Sequence, residues 1–455
     1  MKRIITIIIN CLIILPNLIQ AQNKQSVIPE AYYAQWSGIR PSLDANIEKY
    51  RKGDASIQLV DANGTPVSNV LVSIEQKTHA FQFGCNILML GQFKDKEMNE
   101  AYEQEFAKLF NLATTTFTMR DYQPQPGKFR FTEGSEEIWR RPPPDRVVTF
   151  GKKYGINLQG QPLLCKGWHP EWAPKDREKV KQLYIEWFKK VAERYGRDFK
   201  YWNIVNEMFV TAEKGPDFPL YDPELKYVEW AFKEATKYFP LDNTLTINQG
   251  VKFNTMDEAQ EYYSFVKKLV DEDVGVESIG IQFHLYSLDE LLEGDKTYTP
   301  SKFLAIYDKF SKLGIPVFIS EITIPSTLDE GIKGEIIQSE ILTNLYRLWF
   351  SVPVMSGIIY WNLPDGAAHG NEGRVKAGLL DENLKEKPAY QALYQLIHRE
   401  WTTRFKTEAN EQGKVSFRGF YGKYEIRVTA GDKTQKFEID LSKEGNNENK
   451  LVLSK

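Results

Sequence analysis

Eight short apolar runs, each followed by a stretch of helical periodicity, constrain this chain more than any other feature of its sequence. They begin near Phe81, Thr114, Asn157, Tyr201, Thr244, Ser278, Val317 and Gly357. At roughly 40 residues apart they leave room each time for one helix and its loops. The helices are legible too. Val180, Leu183, Tyr184, Trp187, Phe188 and Val191 fall on one helical face, and Gly196 stops it before Tyr201. Eight such units over residues 81–400 predict an α/β fold, a (β/α)8 TIM barrel. A doubly wound open sheet shares the alternation, but no GxGxxG follows the first run.

At both ends the period changes to two. Residues 54–80 carry Ile57 and Leu59, a turn at Asp61-Ala62-Asn63-Gly64, and then Val70, Val72 and Ile74. Residues 401–455 repeat the pattern in Val415 and Phe417, in Tyr424, Ile426 and Val428, and in Phe437, Ile439 and Leu441. A lone hairpin is marginal, so the two terminal sets are expected to pair into one small β-sandwich. Trp401, Phe420 and Tyr421 are its candidates for a sugar-stacking platform, although a structural collar is the plainer expectation. Residues 22–53 form a lead-in whose Tyr32, Tyr33 and Trp36 suit a helix packed on the body. Residues 1–21 have the charged start and apolar run of a signal peptide. That run is broken by Asn10, Pro16 and Asn17 and falls short of the ~20 residues that a spanning helix needs. An exported protein, periplasmic or extracellular, with no membrane span after cleavage is the expectation.

The chemistry has few candidates. The 455 residues hold 58 Lys+Arg against 61 Asp+Glu, a formal charge of −3, which argues against a nucleic-acid partner. Five His and three Cys (Cys11, Cys85 and Cys165), with no CxxC and no paired-His spacing, offer nothing for a zinc cluster. No cofactor or metal is expected, and Cys85 and Cys165 read as free buried thiols. Carboxylates remain. In a barrel, chemistry sits where strands end, and two strands end on Glu: Tyr201-Trp202-Asn203-Ile204-Val205-Asn206-Glu207 and Val317-Phe318-Ile319-Ser320-Glu321. Two such carboxyls converging on one cleft at ~5–5.5 Å would suit a retaining glycosidase.

Around these strand ends the sequence resembles glycoside hydrolase family 10, best known for endo-β-1,4-xylanases. Trp202-Asn203-Ile204-Val205-Asn206-Glu207 is similar to that family's WDVVNE, Gly280-Ile281-Gln282-Phe283-His284-Leu285 to its G-x-Q-x-H-L, and Trp361-Asn362-Leu363-Pro364-Asp365 to its W-G-x-x-D. Phe110-Asn111, Met119, Ile247-Asn248 and Lys387-Pro388-Ala389-Tyr390 extend the likeness from about Phe81 to Tyr394. The resemblance implies an endo-β-1,4-xylanase-like hydrolase of plant- or algal-type polysaccharide. In it Glu321 is the nucleophile and Glu207 the general acid/base, kept protonated in part by aromatic walls such as Trp202. Asn206 would hold the sugar's 2-hydroxyl, Gln282 and His284 would support Glu321, and Trp361 would form the floor of a sugar subsite.

The departures from the pattern cluster among sugar-binding positions. Arg120 stands for a Lys, Gln161 for a His, Cys165 for a Trp with Lys166 beside it, and Thr323 for an Asp. The second stacking Trp aligns with His369 or with a loop of altered length. Arg120 and Lys166 could pair with a carboxylate or sulfate, so a decorated or acidic β-glycan is an alternative substrate. A noncatalytic glycan-binding barrel is the alternative from another class.

Overall fold

The computed structural model describes residues 28–209, 218–250, 256–292, 298–326 and 332–454. The predicted signal segment 1–21 and residues 22–27 of the lead-in lie outside the described residues.

Eight parallel strands close into a barrel: β3 (Gln82–Asn86), β4 (Leu112–Thr116), β5 (Asn157–Gln161), β6 (Tyr201–Asn206), β7 (Thr244–Gly250), β8 (Ser278–His284), β9 (Val317–Thr323) and β10 (Met355–Tyr360). Ring closure is made by β10, which pairs with β9 on one side and β3 on the other. Inside it, Leu112, Tyr201, Phe318 and Ile359 form a separate buried cluster drawn from four strands. The rings of Tyr201 and Phe318 meet at 5.4 Å across the lumen, because β6 and β9 are not neighbours. Above this plug the lumen turns polar, with Thr114 Oγ1 donating to Gln159 at 2.8 Å and Thr246 paired to Ser278 at 2.6 Å. The large majority of buried hydroxyls and amides are paired, and these pairs carry the interior up toward the strand ends.

Among the described residues, seven further strands make two sheets beside the barrel. Strand β1 (Lys52–Asp61) lies between β12 (Lys414–Phe420) and β15 (Glu448–Leu453). Strand β2 (Leu71–His79) lies between β11 (Arg404–Glu408) and β13 (Gly422–Ala430), with β14 (Lys433–Leu441) outermost. Each N-terminal strand is thus flanked on both edges by C-terminal ones, with registers such as Ile57↔Val415 and Ile74↔Ile426. Ile57, Leu59, Val72, Ile74, Ile426 and Val428 close a core between the sheets. The platform candidates face inward: Trp401 is 1% and Phe420 3% exposed, and Tyr421 packs against Gly53. Trp401 lies 4.4 Å from Phe350 of a barrel helix, so these rings join the sandwich to the barrel.

The lead-in is a helix, Glu30–Arg51, that buries Tyr32, Trp36, Leu43 and Ile47. It lies along the barrel helix Ile332–Ser351, where Asn344 Nδ2 donates to the Tyr32 hydroxyl at 3.2 Å. Arg51 at its end is half-buried, donates from Nε to Phe350 O at 2.6 Å and reaches Val352 O as well. Those carbonyls are at and just past the C-terminus of the 332–351 helix, where partial negative charge gathers. Burial pulls the guanidinium down to about 9. Among the described residues no helix is long and apolar enough to cross a membrane.

Candidate active site

The carboxyl edge of β6 brings Asn206 and Glu207 to the barrel mouth. Glu207 has a left-handed backbone, φ 55°, and its N–H donates to Asn248 O at 3.0 Å, which turns the side chain off the strand and over the cleft. Glu321, 6% exposed, points inward from β9. One amide joins the two: Gln282 Nε2, on β8, is 3.2 Å from Glu207 Oε1 and 3.2 Å from Glu321 Oε1. The two oxygens therefore stand no more than twice that distance apart.

Asn248 at the end of β7 is the second organiser, and its side-chain role was not read from the sequence. Ser320 Oγ donates to its Oδ1, which fixes the amide so that Nδ2 donates to Asn206 Oδ1 at 2.7 Å and to Glu321 Oε1 at 3.0 Å. The approach depends on Gly280 of β8, where a Cβ would overlap Asn248 Oδ1. The available signal was the likeness of Ile247-Asn248 to the family pattern, which placed the residue without giving its side chain a role. Asn206 Oδ1 also accepts from Asn203 Nδ2 at 3.3 Å. Gln161, on β5, reaches Glu321 Oε1 from Nε2 at 3.4 Å while its buried Oε1 meets no partner in the protein.

On the other side of Glu321, His284 Nε2 lies 3.3 Å from Oε2 and His284 Nδ1 lies 2.7 Å from Thr323 Oγ1. The Thr hydroxyl thus takes up the ring nitrogen where the family pattern has a carboxylate. Burial pushes the Glu321 carboxyl above its ordinary value; the hydrogen bond and charge of His284 oppose this, and the charges of Glu207 and Glu372 add to it. Burial alone would lower His284, yet the hydrogen bond and charge of Glu321, with the charges of Glu372 and Glu207, carry it upward.

The other sequence candidates spread around this centre. Trp361, half-buried after β10, sets its ring edge-on to His284 at 6.4 Å. Arg120 stands off the carboxylates on a short helix, Met119–Tyr122, donating to Gly167 O at 3.1 Å and stacking over Trp168 at 4.3 Å. Lys166 is half-buried in the adjoining turn Lys166–Trp168. Trp202 is not a wall of the cleft. It is wholly buried on the outside of the barrel against Phe117, Phe199 and Phe239, with its indole N–H on Asn243 Oδ1 at 3.0 Å. Cys85 and Cys165 are free and buried. Cys165 is hydrogen-bonded to Asn206, and burial pushes its thiol up to about 12. No group of three or more His, Cys, Asp or Glu among the described residues could hold a metal ion.

A family model described as glycosyl hydrolase family 10 matches residues 76–396, most of the chain. The chain belongs to glycosyl hydrolase family 10. Among curated relatives it is 26% identical over 397 residues to the anti-sigma-I factor RsgI6 of Acetivibrio thermocellus, a match spanning 85% of this chain and 46% of that one. The chain thus spans about half the length of that relative. It is 24% identical over 381 residues to a thermostable celloxylanase of Thermoclostridium stercorarium, covering 74% of this chain and 92% of that protein. Among solved structures, xylanase 10B of Thermotoga petrophila in complex with xylobiose superposes with a TM-score of 0.58 at 21% identity, over 70% of this chain and 95% of that one. That likeness bears on the fold, and the family 10 barrel is the one described above.

Proposed function

We propose that this family 10 member is a retaining, xylanase-type hydrolase of β-glycans in which Glu321 is the nucleophile and Glu207 the general acid/base. The observation that carries the reading is the shared amide of Gln282, 3.2 Å from each carboxylate. It keeps the facing oxygens within twice 3.2 Å of each other, a range that includes the ~5–5.5 Å gap of retaining enzymes. Glu321 attacks the anomeric carbon as Glu207 gives its proton to the leaving oxygen. A water deprotonated by Glu207 then releases the sugar from Glu321 with net retention. The three side-chain amides on Glu321 Oε1, from Gln161, Asn248 and Gln282, favour the carboxylate that burial disfavours. Asn206, its oxygen fixed by Asn248, offers the sugar's 2-hydroxyl a partner that strengthens in the transition state.

The xylanase-type substrate is supported by the relatives named above, and Arg120 and Lys166 beside the cleft favour glycans that carry acidic decorations. The terminal sandwich acts as a collar on the barrel, since Trp401 and Phe420 are turned inward. Export through residues 1–21 fits a polymeric substrate. The test is hydrolysis by wild type, Glu321→Ala and Glu207→Ala of neutral xylan, glucuronoxylan, mixed-linkage glucan and sulfated or uronate-rich polysaccharides, with product anomers followed by NMR. Initial β-products that vanish in Glu321→Ala are expected. Binding of a glycan by all three proteins without cleavage would instead make the barrel a noncatalytic binder.

A further inference from the structure

The segment between Gln123 and Pro143, which follows strand β4, is long for a barrel loop. Buried arginines hold it in one shape. Arg130, 4% exposed, donates to the carbonyls of Asp121, Glu136 and Arg141. Arg141 Nε pairs with Asp121 Oδ2 at 2.6 Å. The order so imposed delivers Trp139 and Arg140 across the top of strand β3 to the loop that follows β10.

There the two loops lock. Arg140, 4% exposed and in the left-handed region at φ 62°, donates from Nη1 to Asn362 Oδ1 at 2.7 Å and reaches Ala367 O. Asn362 itself sits at φ 113°, where the family pattern has a glycine, and its Nδ2 donates to Glu372 Oε2 at 3.0 Å. Asn86, the last residue of β3, donates to Asn362 Oδ1 at 3.4 Å. Trp139, 44% exposed, closes the top edge-on to His369 at 4.3 Å. Two non-glycine residues in unfavourable backbone conformations persist only where surrounding contacts over-determine them, and the contact they share is this bridge.

Its position in the ring gives it a meaning. Strand β10 lies diametrically opposite β6, which carries Glu207, in the order β10-β3-β4-β5-β6-β7-β8-β9. The acid/base stands at the leaving oxygen, so the aglycone extends to its side and the glycone toward β10, β3 and β4. The bridge starts one residue beyond Trp361, which faces His284 beside Glu321, and Glu372 is near enough to act electrostatically on Glu321, His284 and Tyr286. We propose that the Trp139–Arg140 and Asn362–Glu372 bridge closes the glycone end of the cleft. The enzyme then seats a fixed, small number of sugars before the cut and counts them from the non-reducing end of the chain. The proposal rests on the reading of Glu321 and Glu207 given above and adds to it the polarity and position of cleavage.

The test uses the full chain and β-1,4-xylo-oligosaccharides of four, five and six sugars carrying 18O at the reducing end, with products resolved by mass spectrometry. Wild type is expected to cut each length at the same bond counted from the non-reducing end, by about tenfold over any other bond. Arg140→Gly, which keeps the left-handed backbone without strain, is expected to spread cleavage to further bonds. Trp139→Ala, a half-exposed position that does not threaten folding, is expected to do the same to a smaller degree. Cuts at several internal bonds by wild type, a bond fixed from the reducing end, or variants that keep the wild-type pattern would each overturn the proposal. No cleavage of any length by wild type would instead remove the hydrolase reading on this substrate, and the proposal with it.

Discussion

The floor of the cleft and its rim over β10, β3 and β4 are built in opposite ways. On the floor, Asn206, Asn248, Gln282, His284 and Glu321 are on strands or at strand ends and are joined to one another: Ser320 orients the Asn248 amide toward Asn206 and Glu321, and Gln282 reaches both carboxylates. On the rim, Arg140 and Asn362 belong to loops, hold strained backbones and are fixed by contacts 222 residues apart in sequence. Strand register leaves little freedom, so the chemistry stays with the family pattern, whereas loops on a rigid scaffold can be rebuilt without disturbing it. Asn206, Gln282 and His284 match the family pattern on the floor, and two floor residues that depart from it, Gln161 and Thr323, still contact Glu321 and His284; on the rim, Trp139 from the loop after β4 meets His369 edge-on.

Four substitutions would break or sharpen this contrast. The largest effect is expected for Glu321→Ala, with kcat falling by more than about a thousandfold through loss of the covalent intermediate, read by initial rates on any glycan that wild type cleaves. A loss of tenfold or less would mean that the floor is not where the chemistry occurs. Next, Asn248→Ala removes the donor shared by Asn206 and Glu321, at an expected cost of about 10²-fold in kcat, comparable to one preorganised hydrogen bond in other active sites. A change confined to KM would place Asn248 in binding alone.

The third is an effect on pH. In the proposed mechanism Glu321 attacks as a carboxylate, and burial raises its pKa, so kcat/KM is expected to be lost as pH falls through that raised value. Because the folded value lies above the 4.5 of an ordinary Glu, the ionised side chain also opposes folding, and its contribution to stability is lost as pH rises from about 4.5 through the folded value. His284→Ala removes the hydrogen bond and charge that hold Glu321 down, so the acid limb of the pH–rate profile is expected to move to higher pH; an unmoved limb would detach His284 from Glu321. The smallest effect belongs to the rim. Arg120→Ala should leave kcat on neutral xylan within about twofold and weaken KM for a uronate-bearing oligosaccharide by less than about tenfold, since a half-exposed ion pair contributes no more than about 1 kcal/mol.

How much of this was legible follows the same division. All eight barrel strands start within two residues of the positions read from the sequence, because each is a buried run set off by turn residues. The strand-end glutamates could be placed for the same reason, whereas Asn206, Gln282 and His284 are legible only through the family resemblance and the side-chain role of Asn248 is not legible at all. Trp202 could not. The pairing of β6 with β7 shifts register between Asn203 and Val205, which breaks the alternation and puts Trp202 outside while Asn206 points in. Arg140 carried still less signal: two arginines before three prolines look like any surface loop, and their meaning depends on Asn362, far along the chain and reached only when the barrel closes.

The sandwich has a consequence for how the molecule comes into being. Both β1 and β2 are made before any barrel strand, yet their partners β11–β15 are the last strands to emerge, and pairs such as Lys52↔Phe420 close almost the whole length of the chain. Until then two alternating apolar strands wait with both edges open, the state in which strands find wrong partners. The helix Glu30–Arg51 immediately before them lies chiefly along the Ile332–Ser351 helix, which is also made late, and there Arg51 anchors it to the carbonyls of Phe350 and Val352. A chain interrupted after its eighth barrel strand would hold every residue of the carboxylate pair and its amide partners, and would still display its first two strands as sticky, unpaired edges; completion of the last strands is what seals the enzyme.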